Sequence, residues 1–311
     1  MSLFELRAAY QAGALTKQRY IDQMHQRHAR LFEYADFLEG TDIERIEILD
    51  GRVILTSRAT GIRIVCDRRD LRIAPLEVLN FGDYEKADAD MMFRLLEDNL
   101  TILDIGANIG WYSLRFAKAF PNAKIFSFEP IPATFGYLQR NIALNPACRV
   151  HPFNFGFSDR AGELPFYFHP EGSGSASAAD LLGTGRAERI TCHLRTLDDW
   201  VAETGTRIDF IKCDVEGAEL LVLTGGTEAL QRFKPMVFAE MLRKWTAKFN
   251  YHPNRIIDLM SNLGYRCFVN REDRLVEFPT MADNTVETNF FFLHPLAHAA
   301  KIDGLTKSRK A

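Results

Sequence analysis

TILDIGANIGWYSLRFAKAFPNAKIFSFEP, residues 101–130, is the stretch around which the chain is organised. A short apolar strand, Ile102 to Ile105, runs into a turn carrying Gly106 and Gly110. A helix follows, with Trp111, Leu114, Phe116 and Ala117 as core candidates, and a second strand, Ile125 to Phe128, ends on Glu129-Pro130. This is a βαβ unit with a glycine turn at the first strand end and an acid at the second. Glu129 lies roughly 20 residues beyond Gly106, the separation at which an acid accepts hydrogen bonds from ribose hydroxyls in nucleotide-binding α/β folds. An adenosine cofactor is therefore expected.

The spacing of the turn says which one. Dinucleotide sites need G-x-G-x-x-G, whose second glycine lets the backbone approach a pyrophosphate. Counted from Gly106, Asn108 and Trp111 stand where the second and third glycines belong. That argues against NAD and FAD. The D-x-G-x-x-x-G pattern from Asp104 to Gly110 suits S-adenosylmethionine, which has no phosphates and carries an amino-acid tail. The plainer reading is a tight strand-to-helix turn with an unrelated acid downstream.

With four further motifs, this turn resembles the FkbM family of class I S-adenosylmethionine methyltransferases. The motifs are NFGDYE (Asn80 to Glu85), LDIGANIG (Leu103 to Gly110), FEP-x-P (Phe128 to Pro132), IDFIKCDVEGAEL (Ile208 to Leu220) and KPMVFAE (Lys234 to Glu240). Cys213 departs mildly, standing where the family usually has an aliphatic residue. The resemblance implies an α/β fold: a Rossmann-like sheet of about seven strands, its edge pair antiparallel, with helices on both faces. It also implies methyl transfer to a hydroxyl of a sugar or secondary metabolite. Asp104, Gly106, Ala107, Asn108, Gly110, Glu129 and Pro130 become cofactor-binding candidates. Glu85 joins them because the segment before the first core strand folds over the cofactor in related enzymes; its alternative role is a helix N-terminal acid. Ser158 and Asp159, in the loop after the third strand, are candidates for the adenine, or else form an ordinary turn.

Ile208 to Cys213 reads as a near-continuous apolar strand, as in the middle of a parallel sheet. Asp214 and Glu216 follow it, and Glu240 ends the next strand. Ligands in open α/β sheets bind outside the carboxyl ends of the strands. Asp214, then Glu216, then Glu240 are thus candidate bases for an acceptor hydroxyl. The same three carboxylates form a candidate site for a divalent cation such as Mg2+, although no tight ligand spacing demands one. Helix capping would explain one acid easily, and their crowding at one strand end less well. An NAD-dependent oxidoreductase and a non-catalytic binding module remain as alternatives.

The rest of the chain sets the surroundings. Ser2 with Glu5 is a capping box, Gly13 breaks the first helix, and Thr16 caps a second. Ile21, Met24, His28, Leu31, Ala35 and Leu38 make an a/d stripe, read either as packing on the body or as a homodimer seam. Residues 43 to 79 read as short strands, with hairpin signals at Asp50-Gly51 and Ala59-Thr60-Gly61. The expected organisation is an N-terminal helical and small β extension over 1–80, a cofactor-binding domain over 81–295, and a frayed tail over 296–311. Within the domain, the Gly-, Ser- and Ala-rich stretch 169–188 is expected to be a lid-like loop.

Composition is that of a globular chain: 311 residues, 47% hydrophobic, 25% charged, net charge −3. Nothing pulls toward nucleic acid. No apolar run reaches the roughly 18 residues of a membrane span. The 5 cysteines form no C-x-x-C pair and read as free thiols of a cytoplasmic protein. The partner expected is a small-molecule or glycan acceptor.

Overall fold

The computed structural model describes residues 1–307 except 182, 184 and 186. Two helices open the chain, α1 (Leu3–Gln11) and α2 (Lys17–Phe37). The capping box at Ser2 and Glu5 and the cap at Thr16 are both formed. Next comes a three-stranded antiparallel sheet, β1 (Ile43–Leu49), β2 (Arg52–Ser57) and β3 (Arg63–Val65). Asp50 and Gly51 make the β1–β2 turn, both with positive φ as a two-residue hairpin loop requires. The segment expected to stay in short strands up to residue 79 ends instead in a helix, α3 (Ala74–Phe81). Pro75 in its first turn is a helix-start residue, and Val78 and Leu79 are buried on its inner face.

The central domain follows: α4 (Lys86–Leu95), β4 (Thr101–Ile105), α5 (Trp111–Ala119), β5 (Lys124–Phe128), α6 (Pro132–Leu144) and β6 (Val150–Phe153). A small side sheet is built from β7 (Gly156–Phe157), β8 (Gly162–Phe168) and β9 (Glu188–Arg195). Then come α7 (Leu197–Thr204), β10 (Phe210–Cys213), α8 (Glu219–Thr224), α9 (Thr227–Phe233), β11 (Met236–Glu240) and α10 (Arg243–Thr246). The chain closes with α11 (Asn254–Asn262), β12 (Arg266–Arg271), β13 (Arg274–Glu277), β14 (Asn289–Leu293) and α12 (Ala299–Thr306).

The main sheet has 8 strands in the order β13-β12-β14-β11-β10-β4-β5-β6. From β11 to β6 all neighbours are parallel; β14, β12 and β13 extend the other edge antiparallel. The eighth strand is β13, a hairpin partner of β12 whose turn residues Glu272 and Asp273 both have positive φ. Neither is glycine or asparagine, so the usual sequence signal for such a turn is missing. The segment expected to fray holds α12, whose Ile302 and Leu305 pack on the core. Residues 308–311 lie outside the described residues.

Strand alternation sorts the core into two layers. Ile102, Ile125, Phe210, Phe238 and Phe291 face one side, with α4, α5 and the small N-terminal sheet. Leu103, Phe128, Ile211, Val237 and Phe292 face the other, with α7, α8, α9 and α11. Ile43, Leu55 and Ile64 of the N-terminal sheet belong to the first layer, so that sheet shares the main core. It is also hydrogen-bonded there: Arg63 N donates to Asn145 Oδ1 at 2.9 Å and Val65 N to Asn141 Oδ1 at 2.8 Å. β4 pairs with β10 on one side and β5 on the other. Chain direction around the sheet therefore reverses at β4, which opens a crevice at the strand ends there.

Candidate active site

That crevice is a cavity of about 550 Å³. Its floor is the turn after β4. Gly106 N and Ala107 N both donate to Phe128 O at 3.0 Å, and Asp214 N donates to Ile105 O at 3.1 Å, locking three strand ends together. Gly106 has φ +80°, and a Cβ there would sit 1.8 Å from the carbonyl oxygen of Asp214. Both the conformation and the close approach require glycine. Asn108 is left-handed at φ +49°, which asparagine tolerates, and turns its N–H toward Glu129 Oε2 at 3.0 Å. Glu129 Oε1 accepts from Ile131 N at 2.8 Å. Burial pushes the Glu129 carboxyl up to about 7 against these two hydrogen bonds. Each carboxylate oxygen has lone-pair capacity left for a ligand.

Asp214, Glu216 and Glu240 form an acidic wall of the same cavity with Glu85 and Tyr84. One oxygen from each of Asp214, Glu216 and Glu240 can be chosen so that all lie within 4.8 Å of one another. Burial raises Glu216 well above the carboxylate range, reinforced by the charges of Asp214 and Glu219. Burial does the same to Glu240, with the charges of Asp214 and Glu216 adding to it. Glu85 is raised by burial and by Asp214, although Tyr112 Oη donates to it at 2.7 Å. Glu216 is held at φ +53° by Glu219, whose Oε1 accepts from Val215 N and Gly217 N at 3.1 Å.

Beneath this wall lies Lys212, not singled out by the sequence reading. Its Nζ is 3.0 Å from Asp214 Oδ2 and 3.7 Å from Asp104 Oδ1, with the side chain 3% exposed. Burial alone would lower the ammonium; the charges of Asp214 and Asp104 outweigh it and hold Lys212 above its usual value. The signal was present in the sequence: residues two apart on a strand share a face, so a lysine inside an apolar strand two places before Asp214 points the same way.

The remaining candidates are divided. Gly106, Ala107, Asn108, Glu129, Pro130 and Glu85 line the cavity. Asp104 does not: it is fully buried below the floor, with Ser113 Oγ donating to its Oδ2 at 2.5 Å. Gly110 packs against Leu138 at the start of α5. Ser158 Oγ bonds Asp159 Oδ1, and the wall there is formed by the preceding Gly156 and Phe157. Part of the loop expected as a lid crosses the cavity, contributing Ser173, Gly174 and Ala176. Ser173 N and Oγ donate to Asp70 Oδ2 at 3.0 and 2.5 Å, and Ser177 Oγ donates to Glu216 O at 3.0 Å. Lys244 and Trp245 complete the mouth.

These features fit a cationic, oxygen-bearing adenosine cofactor. The acids favour a sulfonium and disfavour a pyrophosphate. Trp111 is buried at the cavity wall, and its indole N–H has no acceptor among the described residues, leaving a donor for a ligand oxygen.

A family profile described as "Methyltransferase FkbM domain" matches residues 104–267, more than half of the chain. The chain belongs to the FkbM methyltransferase family. Among similar proteins, 2-O-methyltransferase NoeI of Sinorhizobium fredii is 37% identical over 163 residues, covering 47% of this chain and 65% of NoeI. Methyltransferase sdnD of Sordaria araneosa is 36% identical over 162 residues, 43% of this chain and 62% of sdnD. Hexuronic acid methyltransferase AglP of Haloferax volcanii is 30% identical over 151 residues, 47% of this chain and 59% of AglP. The match thus spans somewhat under two thirds of each relative. The FkbM profile begins at Asp104, near the end of β4, and holds Glu129, Asp214, Glu216 and Glu240; α1 to α4, with Glu85 and the small N-terminal sheet, lie outside it.

Proposed function

We propose that this FkbM-family chain transfers a methyl group from S-adenosylmethionine to a hydroxyl of a sugar or a secondary metabolite. One observation carries the reading: the glycine turn with Glu129 and the three carboxylates Asp214, Glu216 and Glu240 line one continuous cavity. The sulfonium supplies an electrophilic methyl. The protein must present the acceptor oxygen at near-attack distance and take its proton. Glu129 receives the ribose hydroxyls, and the turn from Gly106 to Asn108 cradles the cofactor. Asp214 is engaged by Lys212, which leaves Glu216 and Glu240 as the proton-accepting pair. Burial raises the proton affinity of both, which makes each the stronger base once ionised. Ser173, Gly174 and Ala176 lie over the acceptor, with Lys244 and Trp245 lining the same cavity. Relatives named for 2-O- and hexuronic acid methylation support a saccharide acceptor. Phosphate-rich nucleic acid would be repelled by the acidic wall. The five unpaired thiols support a reducing, cytoplasmic setting. Among the described residues no helix is long and apolar enough to cross a membrane.

A second reading rests on the carboxylate spacing. Asp214, Glu216 and Glu240 would hold a divalent cation such as Mg2+, lowering the acceptor hydroxyl's pKa instead of accepting its proton directly.

Calorimetric titration with S-adenosylhomocysteine, with NADH as control, tests the cofactor. Binding of the homocysteine product alone is expected. Glu129→Ala should weaken it about 10- to 100-fold, one or two steps of about 1.4 kcal/mol. An unchanged dissociation constant would remove Glu129 from the site. Saccharide turnover that survives EDTA excludes the cation, and turnover lost to EDTA and restored by Mg2+ selects it.

A further inference from the structure

The long N-terminal helix is incomplete as a packed element. α1 covers the first part of α2: Leu6 is buried, Tyr10 and Tyr20 stack with centroids 4.5 Å apart, and Arg27 Nη2 donates to Met1 O at 2.9 Å. Residues 30–37 are exposed without exception, among them Leu31 at 61%, Phe32 at 68% and Phe37 at 52%. Ile21, His28, Phe32 and Ala35 fall on one face at helical spacing, and Ile21 is 47% exposed. None of the 21 residues of α2 is buried. Helical stability comes mostly from burying an amphipathic face, and here no described residue covers that face.

The charges of this helix are sorted along its length. Lys17, Arg19, Arg27 and Arg30 stand in its first two thirds with one acid, Asp22. Glu33, Asp36 and Glu39 follow with no base among them. This order opposes the helix's own dipole, which prefers acids at the N-terminus and bases at the C-terminus. It complements a copy of the same helix running the other way.

We infer that α2 is the seam of a homodimer, pairing antiparallel with α2 of a second copy about a two-fold axis near His28. The exposed stripe is self-complementary in that arrangement, as a two-fold interface requires. Ile21 falls opposite Ala35, Met24 opposite Phe32 and Lys17 opposite Glu39. The basic start of each helix lies along the acidic end of the other, and the exposed Leu31 and Phe32 enter the seam. The seam lies in a segment that the FkbM profile does not cover. The inference is independent of the cofactor and acceptor assignments.

Sedimentation of the full chain tests it, with a dimer of twice 35.5 kDa expected. The triple substitution Glu33→Lys, Asp36→Lys, Glu39→Lys leaves Asp22 as the one acid on a basic helix. Lys17→Glu, Arg19→Glu, Arg30→Glu makes it acidic. Each variant alone should be monomeric, and an equimolar mixture should recover the dimer. Orientation is read by disulfide trapping. A chain with Ile21→Cys should cross-link to one with Ala35→Cys and not to itself. A monomeric wild-type chain at about 100-fold the concentration where such seams form, roughly micromolar, overturns the inference. So does a dimer that survives both charge reversals, or an Ile21→Cys chain that links to itself. Unchanged circular dichroism and homocysteine-product binding in every variant separate loss of the seam from loss of the fold.

Discussion

Replacing Lys212 with methionine should destabilise the protein by about 3–5 kcal/mol, the usual cost of removing one partner from a buried ion pair. Methionine keeps most of the apolar stem and deletes only the charge. At an effective dielectric of about 20, charges 3.0 and 3.7 Å apart attract by roughly 5.5 and 4.5 kcal/mol, to Asp214 and Asp104 respectively. Losing both forfeits about 10 kcal/mol of gross attraction. Part is returned because the lysine's own desolvation penalty, several kcal/mol, disappears. What remains is chiefly the cost of Asp104, which has no exposure to water and loses the only cation near it among the described residues. Burial already raises the Asp104 carboxyl, and Lys212 opposes that rise. In the variant the folded-state value moves further up. Stability carried by the protonated form is then full at low pH and lost as pH rises through the raised value. The deficit against wild type should therefore grow from about pH 5 to about pH 8. Urea unfolding at both pH values measures it, and a melting temperature lower by about 6–10 °C is expected at the higher one. Adding Asp104→Asn to Lys212→Met should recover about 2 kcal/mol or more, because it removes the orphaned charge. A cost below about 1 kcal/mol, or one independent of pH, would refute the view of Lys212 as the counter-ion of the wall.

Gly106→Ala should cost more than about 3 kcal/mol and abolish homocysteine-product binding, since the left-handed φ is strained and the new Cβ meets the Asp214 carbonyl at 1.8 Å. Gly205→Ala is the control: its φ is also positive, at +64°, but its space is open, and a loss of about 1 kcal/mol in thermal unfolding with binding intact is expected. Equal losses at the two glycines would show that the close approach at Gly106 does not matter. Glu240→Gln removes a carboxyl that burial and the charges of Asp214 and Glu216 hold well above its ordinary value. The stability of such a group is full below about pH 4.5 and falls as pH rises, so the variant should be more stable than wild type near pH 8 and lose that advantage near pH 5. A variant less stable at the higher pH, by urea unfolding without added cation, would mean that Glu240 is already compensated.

The parts of the site legible in the sequence are those fixed by chain neighbours. A strand, a glycine turn, a helix and a strand ending in an acid can place Glu129 against the turn only one way, and Glu129 does meet Asn108 across it. The acids at the ends of β10 and β11 were legible for the same reason, since parallel neighbours bring their ends together. Where the chain leaves the sheet, spacing stops being informative. Asp104 precedes the turn by two residues, yet strand alternation turns it to the α5 side, under the floor. Ser158 and Asp159 follow the third strand as expected, but Gly156 and Phe157 already pair as β7 with β9 and take the wall themselves. The hydrogen bonds from Ser173 to Asp70 and from Ser177 to Glu216 join residues far apart in the chain, with no local pattern to announce them. Lys212 lies between these cases. Its partner Asp214 is two residues away and its partner Asp104 is the residue beside it in the β4–β10 register. A buried lysine in a core strand is too costly to stand alone, so its presence already implies acids on the same face. The acidic wall and the cation beneath it are thus one arrangement, and a charge-neutral substitution at either end should be felt at the other.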